Sequence, residues 1–234
     1  MTRLHPSSAA TLETLRGGLI VSCQARPGEP LFGAAHMAAM AASAVAGGAA
    51  GVRVNGPADI AAVRASVDVP LIGLWKDGDK GVYITPSLEH AAAAAAAGAD
   101  IIALDATSRP RRDGLSLSQT IAILHDHHGV LVMADVASYD EGVAAAAAGA
   151  DMVGTTLSGY LDPDGPPSGP DLALVGKLAA NLAVPVIAEG RIHTPSQAAE
   201  AIELGAFAVV VGGAITRPAS ITARFVASLG GHDA

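Results

Sequence analysis

The chain has 234 residues, half of them hydrophobic but only 3% aromatic, and a formal net charge of −8. That balance excludes a nucleic-acid surface, because the densest cationic stretch is Arg109–Arg112. No run of about 18 residues is continuously apolar, so no transmembrane helix is expected. Cys23 is the sole cysteine and leaves no internal disulfide, and Arg3 and His5 precede no apolar signal-type stretch. A cytoplasmic protein of one domain, residues 1–234, is the expectation.

Two interleaved series of short β-branched runs order the chain. Gly18-Leu-Ile-Val-Ser opens the first strand, over 19–24, and Gly48-Ala-Ala-Gly-Val-Arg leads into the second, over 51–55. Val69-Pro-Leu-Ile-Gly gives 70–76, and Gly98-Ala-Asp-Ile-Ile gives 101–106. Gly129-Val-Leu-Val-Met, Gly149-Ala-Asp-Met-Val, Val184-Pro-Val-Ile-Ala and Gly205-Ala-Phe-Ala-Val supply strands at 131–136, 152–157, 185–189 and 208–213. Gly48, Gly98, Gly149 and Gly205 each follow an alanine-rich stretch and read as left-handed helix ends. The alanine runs 91–97 and 144–148 are therefore helix, alanine being the best helix former. Connections long enough for helices imply parallel pairing, and eight such units imply a closed (β/α)₈ barrel. The Pro/Gly-rich loop at 162–170 is the sole interruption resembling a linker.

Active sites of such barrels lie at the carboxyl ends of the strands. Those ends carry Gln24, Arg53 with Asn55, Lys76, Asp105 with Thr107, Asp135, Thr155 to Ser158, Glu189 and Gly212-Gly213. Asp105, Thr107 and Asn55 fit helix capping or turns equally well. Long charged side chains leaving apolar strands need a partner or a ligand, which singles out Arg53, Lys76 and Glu189; a structural ion-pair network is the alternative. The third and seventh strands stand opposite each other in a ring of eight, so Lys76 and Glu189 face across the barrel mouth. Desolvation and the Arg53 charge would lower the Lys76 pKa, and Asp135 would raise it. The loops after strands seven and eight suit a phosphate. Gly190, Gly212 and Gly213 let backbone N–H groups approach, Arg217 precedes Pro218 at a helix start, and Arg191 either joins them or faces solvent. His125, His127 and His128 resemble a metal tract, but they fall at a helix end before the fifth strand, away from the site. No metal is assigned to them.

The phrases LIVSCQARPGEPL, GVRVNG, PLIGLWK, VYITPS, DIIALDATSRPR, LVMADVAS, GTTLSGY, PVIAEGRIHTP and VVVGGAITRPASIT together resemble the bacterial N-acetylmannosamine-6-phosphate 2-epimerase family, over residues 17 to 228. The resemblance implies a barrel that interconverts N-acetylmannosamine 6-phosphate and N-acetylglucosamine 6-phosphate in amino-sugar and sialic acid catabolism. It also implies a homodimer that needs no cofactor or metal and binds neither nucleic acid nor membrane. By motif it makes Lys76, Glu189 and Asp135 catalytic, with Gln24 and Arg53 on the substrate and Gly190, Gly212, Gly213 and Arg217 on its phosphate. Lys76 and Glu189 become the acid–base groups on the two faces of C2, or Lys76 alone serves both faces after rotation about C2. Asp135 positions the lysine and exchanges protons with it, and Arg53 and Gln24 orient or stabilise the oxyanion. The chain departs from the pattern at Trp75, where a smaller aliphatic residue is usual, and in the DGDKG stretch after Lys76, two changes that bear on the acetamido fit. It departs also at Ser108 and at His193, which replaces a common asparagine. Read without the family, Lys76 also suits a Schiff-base aldolase or lyase, and the barrel a phosphosugar-binding protein.

Overall fold

The computed structural model describes residues 6–162 and 164–229; Arg3, His5 and Pro163 of the 162–170 loop lie outside them. Eight parallel strands close into a barrel in chain order, β8 pairing with β1. They are β1 (Leu19–Cys23), β2 (Gly51–Asn55), β3 (Leu71–Leu74), β4 (Ile101–Asp105), β5 (Leu131–Asp135), β6 (Met152–Gly154), β7 (Val186–Glu189) and β8 (Ala208–Val211). Before β1 runs α1 (Pro6–Leu15), and between the strands lie α2 (Ala34–Ala46), α3 (Pro57–Arg64), α4 (Leu88–Ala96), α5 (Leu117–Ile123), α6 (Tyr139–Ala147), α7 (Leu172–Asn181) and α8 (Pro195–Glu203). After β8 come a short α9 (Gly213–Thr216) and α10 (Pro218–Ser228). Among the described residues no helix is long and apolar enough to cross a membrane.

The expected helix ends hold: Gly48, Gly98, Gly149 and Gly205 have φ between 96° and 107°, the left-handed region that a side chain resists. Strand period then sorts the residues. Outward positions such as Val52, Val54, Ile102, Leu104, Val132 and Val153 pack beneath the helices. Inward positions build the barrel interior, with Ile72 and Leu74 on β3, Ile101 and Ala103 on β4, Leu131 and Met133 on β5, Ile187 on β7, and Ala208 and Val210 on β8. Continuing each inward row by two residues reaches Lys76, Asp105, Asp135, Glu189 and Gly212. The alternation that buries the interior therefore also points the polar strand ends into the mouth. Leu12 and Leu15 of α1 join the same interior cluster.

Six strands end earlier than the sequence predicts, β1, β4 and β5 by one residue, β3 and β8 by two and β6 by three. β3 stops at Leu74, because Trp75 and Thr85 bond reciprocally and Lys76 forms an isolated antiparallel bridge with Ile84. β6 stops at Gly154, where Thr155 turns its hydroxyl onto the Glu189 backbone.

Candidate active site

A cavity of about 490 Å³ opens at the carboxyl ends of the strands, lined among others by Gln24, Arg53, Lys76, Thr156 and Glu189. Its phosphate-suited side is lined by Gly190, Arg191, Gly212, Gly213 and Arg217. Asp135 is fully buried immediately behind this lining.

Arg53 is the hinge of the reactive end. Only 1% exposed, it donates through Nη1 to Glu189 Oε1 at 2.6 Å and through Nη2 to Asp135 Oδ2 at 2.5 Å. Residues 53, 135 and 189 are distant in sequence, yet one guanidinium joins strands β2, β5 and β7. Thr156 Oγ1 lies 2.6 Å from Asp135 Oδ1 and 3.0 Å from Glu189 Oε2. A hydroxyl has one hydrogen to donate, so both contacts are favourable only when one carboxyl carries a proton and donates it. Burial pushes the Asp135 carboxyl up, against the pull of Arg53, and the Glu189 charge adds to the rise. The two acids thus form a proton-sharing pair.

Lys76 approaches from β3, opposite β7. Asn55 Oδ1 accepts from its backbone N–H at 2.8 Å, and its ammonium donates to Gln24 Oε1 at 2.7 Å. Gln24 is held in turn by its own donation to Ser22 Oγ at 2.9 Å. Desolvation in the barrel mouth, followed by the Arg53 charge, lowers the Lys76 pKa to about 8, while Glu189 and Asp135 oppose the drop. The site therefore sets a weakened ammonium against a buried Asp135 carboxyl whose pKa is raised to about 7.

The other residues named from the sequence have their own contacts. The Lys76 ammonium rests on Gln24, whereas Asp135 is held by Arg53 and Thr156 and acts on the lysine through space. Both terminal nitrogens of Arg53 donate to carboxylates, which ties Asp135 and Glu189 together. The Arg191 guanidinium lines the cavity, donates through Nε and Nη1 to the carbonyls of Gly169 and Ser158, and lies 5.2 Å from the Tyr160 ring centre. Asp105 secures the next loop through Thr107 and Arg109, as a capping residue would. Trp75 packs on the His90 ring at 4.6 Å and does not line the cavity, so any effect on an acetamido group is indirect. His125 is half-buried and paired with Asp151 at 2.8 Å, while His127 and His128 are exposed. No group of three or more His, Cys, Asp or Glu residues suited to a metal occurs among the described residues.

Residues 37–231 match a family described as "Putative N-acetylmannosamine-6-phosphate epimerase". The chain belongs to this family. A Cutibacterium acnes relative carrying the same description as a 2-epimerase is 56% identical over 218 residues, spanning 92% of this chain and 94% of the relative. A relative from Caldanaerobacter subterraneus is 47% identical over 92% of both chains. The solved N-acetylmannosamine-6-phosphate 2-epimerase from Clostridium perfringens superposes with a TM-score of 0.89 at 39% identity, covering 97% of this chain and 98% of that one. A thiamine phosphate pyrophosphorylase from Pyrococcus furiosus, at 20% identity and a TM-score of 0.58, shares the barrel alone.

In this member of the epimerase family, Thr156 lies in the strand-end run 155–158 that strand counting named, but no role was read for it. A threonine just past a short strand reads as a turn or cap, and its contacts to residues 135 and 189 depend on the barrel closing. Tyr83 also lines the cavity, and burial raises its phenol pKa. The run after Lys76 gives no signal of this.

Proposed function

We propose that the protein interconverts N-acetylmannosamine 6-phosphate and N-acetylglucosamine 6-phosphate in amino-sugar and sialic acid catabolism, by removing and returning the C2 proton. Family membership gives the substrate class. The observation that carries the chemistry is Lys76 and Glu189 on opposite strands of one cavity, the first with a pKa lowered to about 8 and the second sharing a proton with Asp135.

The C2–H bond becomes acidic once the sugar ring opens and C1 is a carbonyl. Neutral Lys76 then takes the proton, the C–H electrons form the C1–C2 double bond, and O1 becomes an enolate. Glu189, protonated, returns a proton to the opposite face of C2, and the C1 carbonyl reforms. The reverse direction starts from charged Lys76 and ionised Glu189, which is the same site with its proton moved. Asp135 resupplies Glu189 through the Thr156 hydroxyl. Gln24 orients Lys76, and the phosphate, gripped by Gly190, Gly212, Gly213 and Arg217, holds the open chain so that binding energy serves orientation. Every step is a proton transfer within reach of side chains in the cavity.

The reading takes residues 1–234 as one catalytic domain in the cytoplasm, working as a homodimer. In support of the dimer, α10 buries none of its residues and exposes Phe225, Val226 and Leu229 by 69%, 62% and 80%. Assay of both N-acetylhexosamine 6-phosphates is the direct test. Each should be converted to the other until one equilibrium ratio is reached from both sides, and failure to convert either would overturn the assignment.

A further inference from the structure

The C2 chemistry leaves three lining residues unused: His193 after β7, and Ser220 and Arg224 on α10. Arg217, Ser220 and Arg224 are spaced three and four apart, so they share one face of α10, and that face looks into the cavity. Arg224 has no ion pair and no hydrogen bond among the described residues, and the His193 ring has no hydrogen-bond partner there. Arg217 reaches only Glu29, at 4.0 Å. Arg217 and Arg224 have between them only the distant Glu29 carboxylate as counter-ion, so they repel each other, and a ligand dianion among them would remove that repulsion. The His193 pKa is lowered by desolvation and then by Arg224 and Arg191, which reports the uncompensated positive field at this end. No residue of α10 is fully buried within the single chain.

We propose that Arg224, Ser220 and His193 form a second half of the phosphate grip, so that a phosphate monoester dianion is clasped between the loops after β7 and β8 and the cavity face of α10. The proposal rests on the phosphosugar reading and extends it in two ways. Ligand binding seats α10 on the barrel, and it is coupled to proton uptake by His193. The charges that act on that imidazole are Arg224 on α10 and Arg191 on its own loop; Arg217, paired with Glu29, and Arg26 line or flank the same cavity. A bound dianion outweighs the single Glu29 carboxylate and raises the His193 pKa. Affinity for a dianion of fixed charge therefore increases as pH falls through the His193 titration.

Sulfate is a suitable probe, because its charge does not change over the range. Sulfate affinity measured calorimetrically should fall about tenfold in Arg224→Ala, as expected for loss of a charge-assisted contact. The KM for the phosphosugar should rise by a similar factor, with kcat within about twofold, because the contact is the same in ground and transition states. Ser220→Ala should weaken sulfate in the same direction, by less. Wild-type affinity should rise between about pH 7.5 and 5.5, and His193→Asn should flatten that rise. Amide exchange in 218–229 should slow with sulfate in wild type and remain unchanged in Arg224→Ala. Sulfate binding that is equally tight in Arg224→Ala and wild type overturns the proposal. Failure of wild type to bind either sulfate or inorganic phosphate overturns the phosphosugar reading beneath it.

Discussion

Lys76→Ala is expected to lower kcat by about 10²–10⁴-fold, the range for losing a positioned acid–base group. KM should change little, because the phosphate contacts lie at the other end of the cavity. Melting temperature should also hold, since the ammonium has only Gln24 to lose. Glu189→Gln should abolish inversion as well, but with a different isotopic signature. In heavy water each variant should still exchange the C2 proton of one epimer, the one served by its remaining base, without producing the other epimer. Lys76→Ala and Glu189→Gln should spare opposite epimers. The pH profile carries the same information. Both directions need one mobile proton shared between Lys76 and Glu189, so kcat/KM should fall in both directions as pH rises past about 8, where Lys76 loses its proton. A rate that instead climbs through that pH to a plateau would assign both faces to a neutral Lys76.

Arg53→Met should be the most damaging change to the fold. It leaves the Asp135 carboxylate, fully buried, and Glu189 without their shared cation. Breaking a buried pair in this way costs about 3–5 kcal/mol, a melting shift on the order of 10 °C for a chain of this length. The sign of its pH dependence follows from proton binding. Without Arg53 the Asp135 pKa rises further above its unfolded value, so the folded state binds more protons than the unfolded one. Stability is then retained at low pH and lost as pH rises from the ordinary aspartate value of about 3.9 upward through the raised one. Because the Asp135 pKa is already raised to about 7 in the wild type, thermal melts should show the two proteins falling in parallel up to that pH and the gap between them widening above it. Arg53→Lys should not rescue, because one ammonium does not span two carboxylates with a forked geometry. A variant that melts within about 2 °C of wild type at neutral pH would remove Arg53 from this role.

The fold was legible because its signals are local. Gly48, Gly98, Gly149 and Gly205 mark turns in the left-handed region, and the strand runs that begin a few residues after them are too short and apolar for helices. The inward row was legible too, since Lys76, Asp135 and Glu189 continue the alternation of apolar residues before them. Partnerships across the barrel were not. That Arg53 spends both terminal nitrogens on Asp135 and Glu189, leaving Lys76 to Gln24, depends on side-chain reach between strands. No sequence interval records that reach. The roles of Thr156 and Arg224 were hidden for a related reason, the one beyond the end of a strand and the other on a terminal helix with no fully buried residue.

The central claim is that the C2–H bond is broken and remade in the cavity between Lys76 and Glu189. Conversion of N-acetylmannosamine 6-phosphate in heavy water, followed by proton NMR, tests it most directly. The N-acetylglucosamine 6-phosphate formed should carry deuterium at C2, and the C2 proton signal should disappear from both epimers as equilibrium is approached. Full epimerisation with the original proton still at C2 would contradict the account.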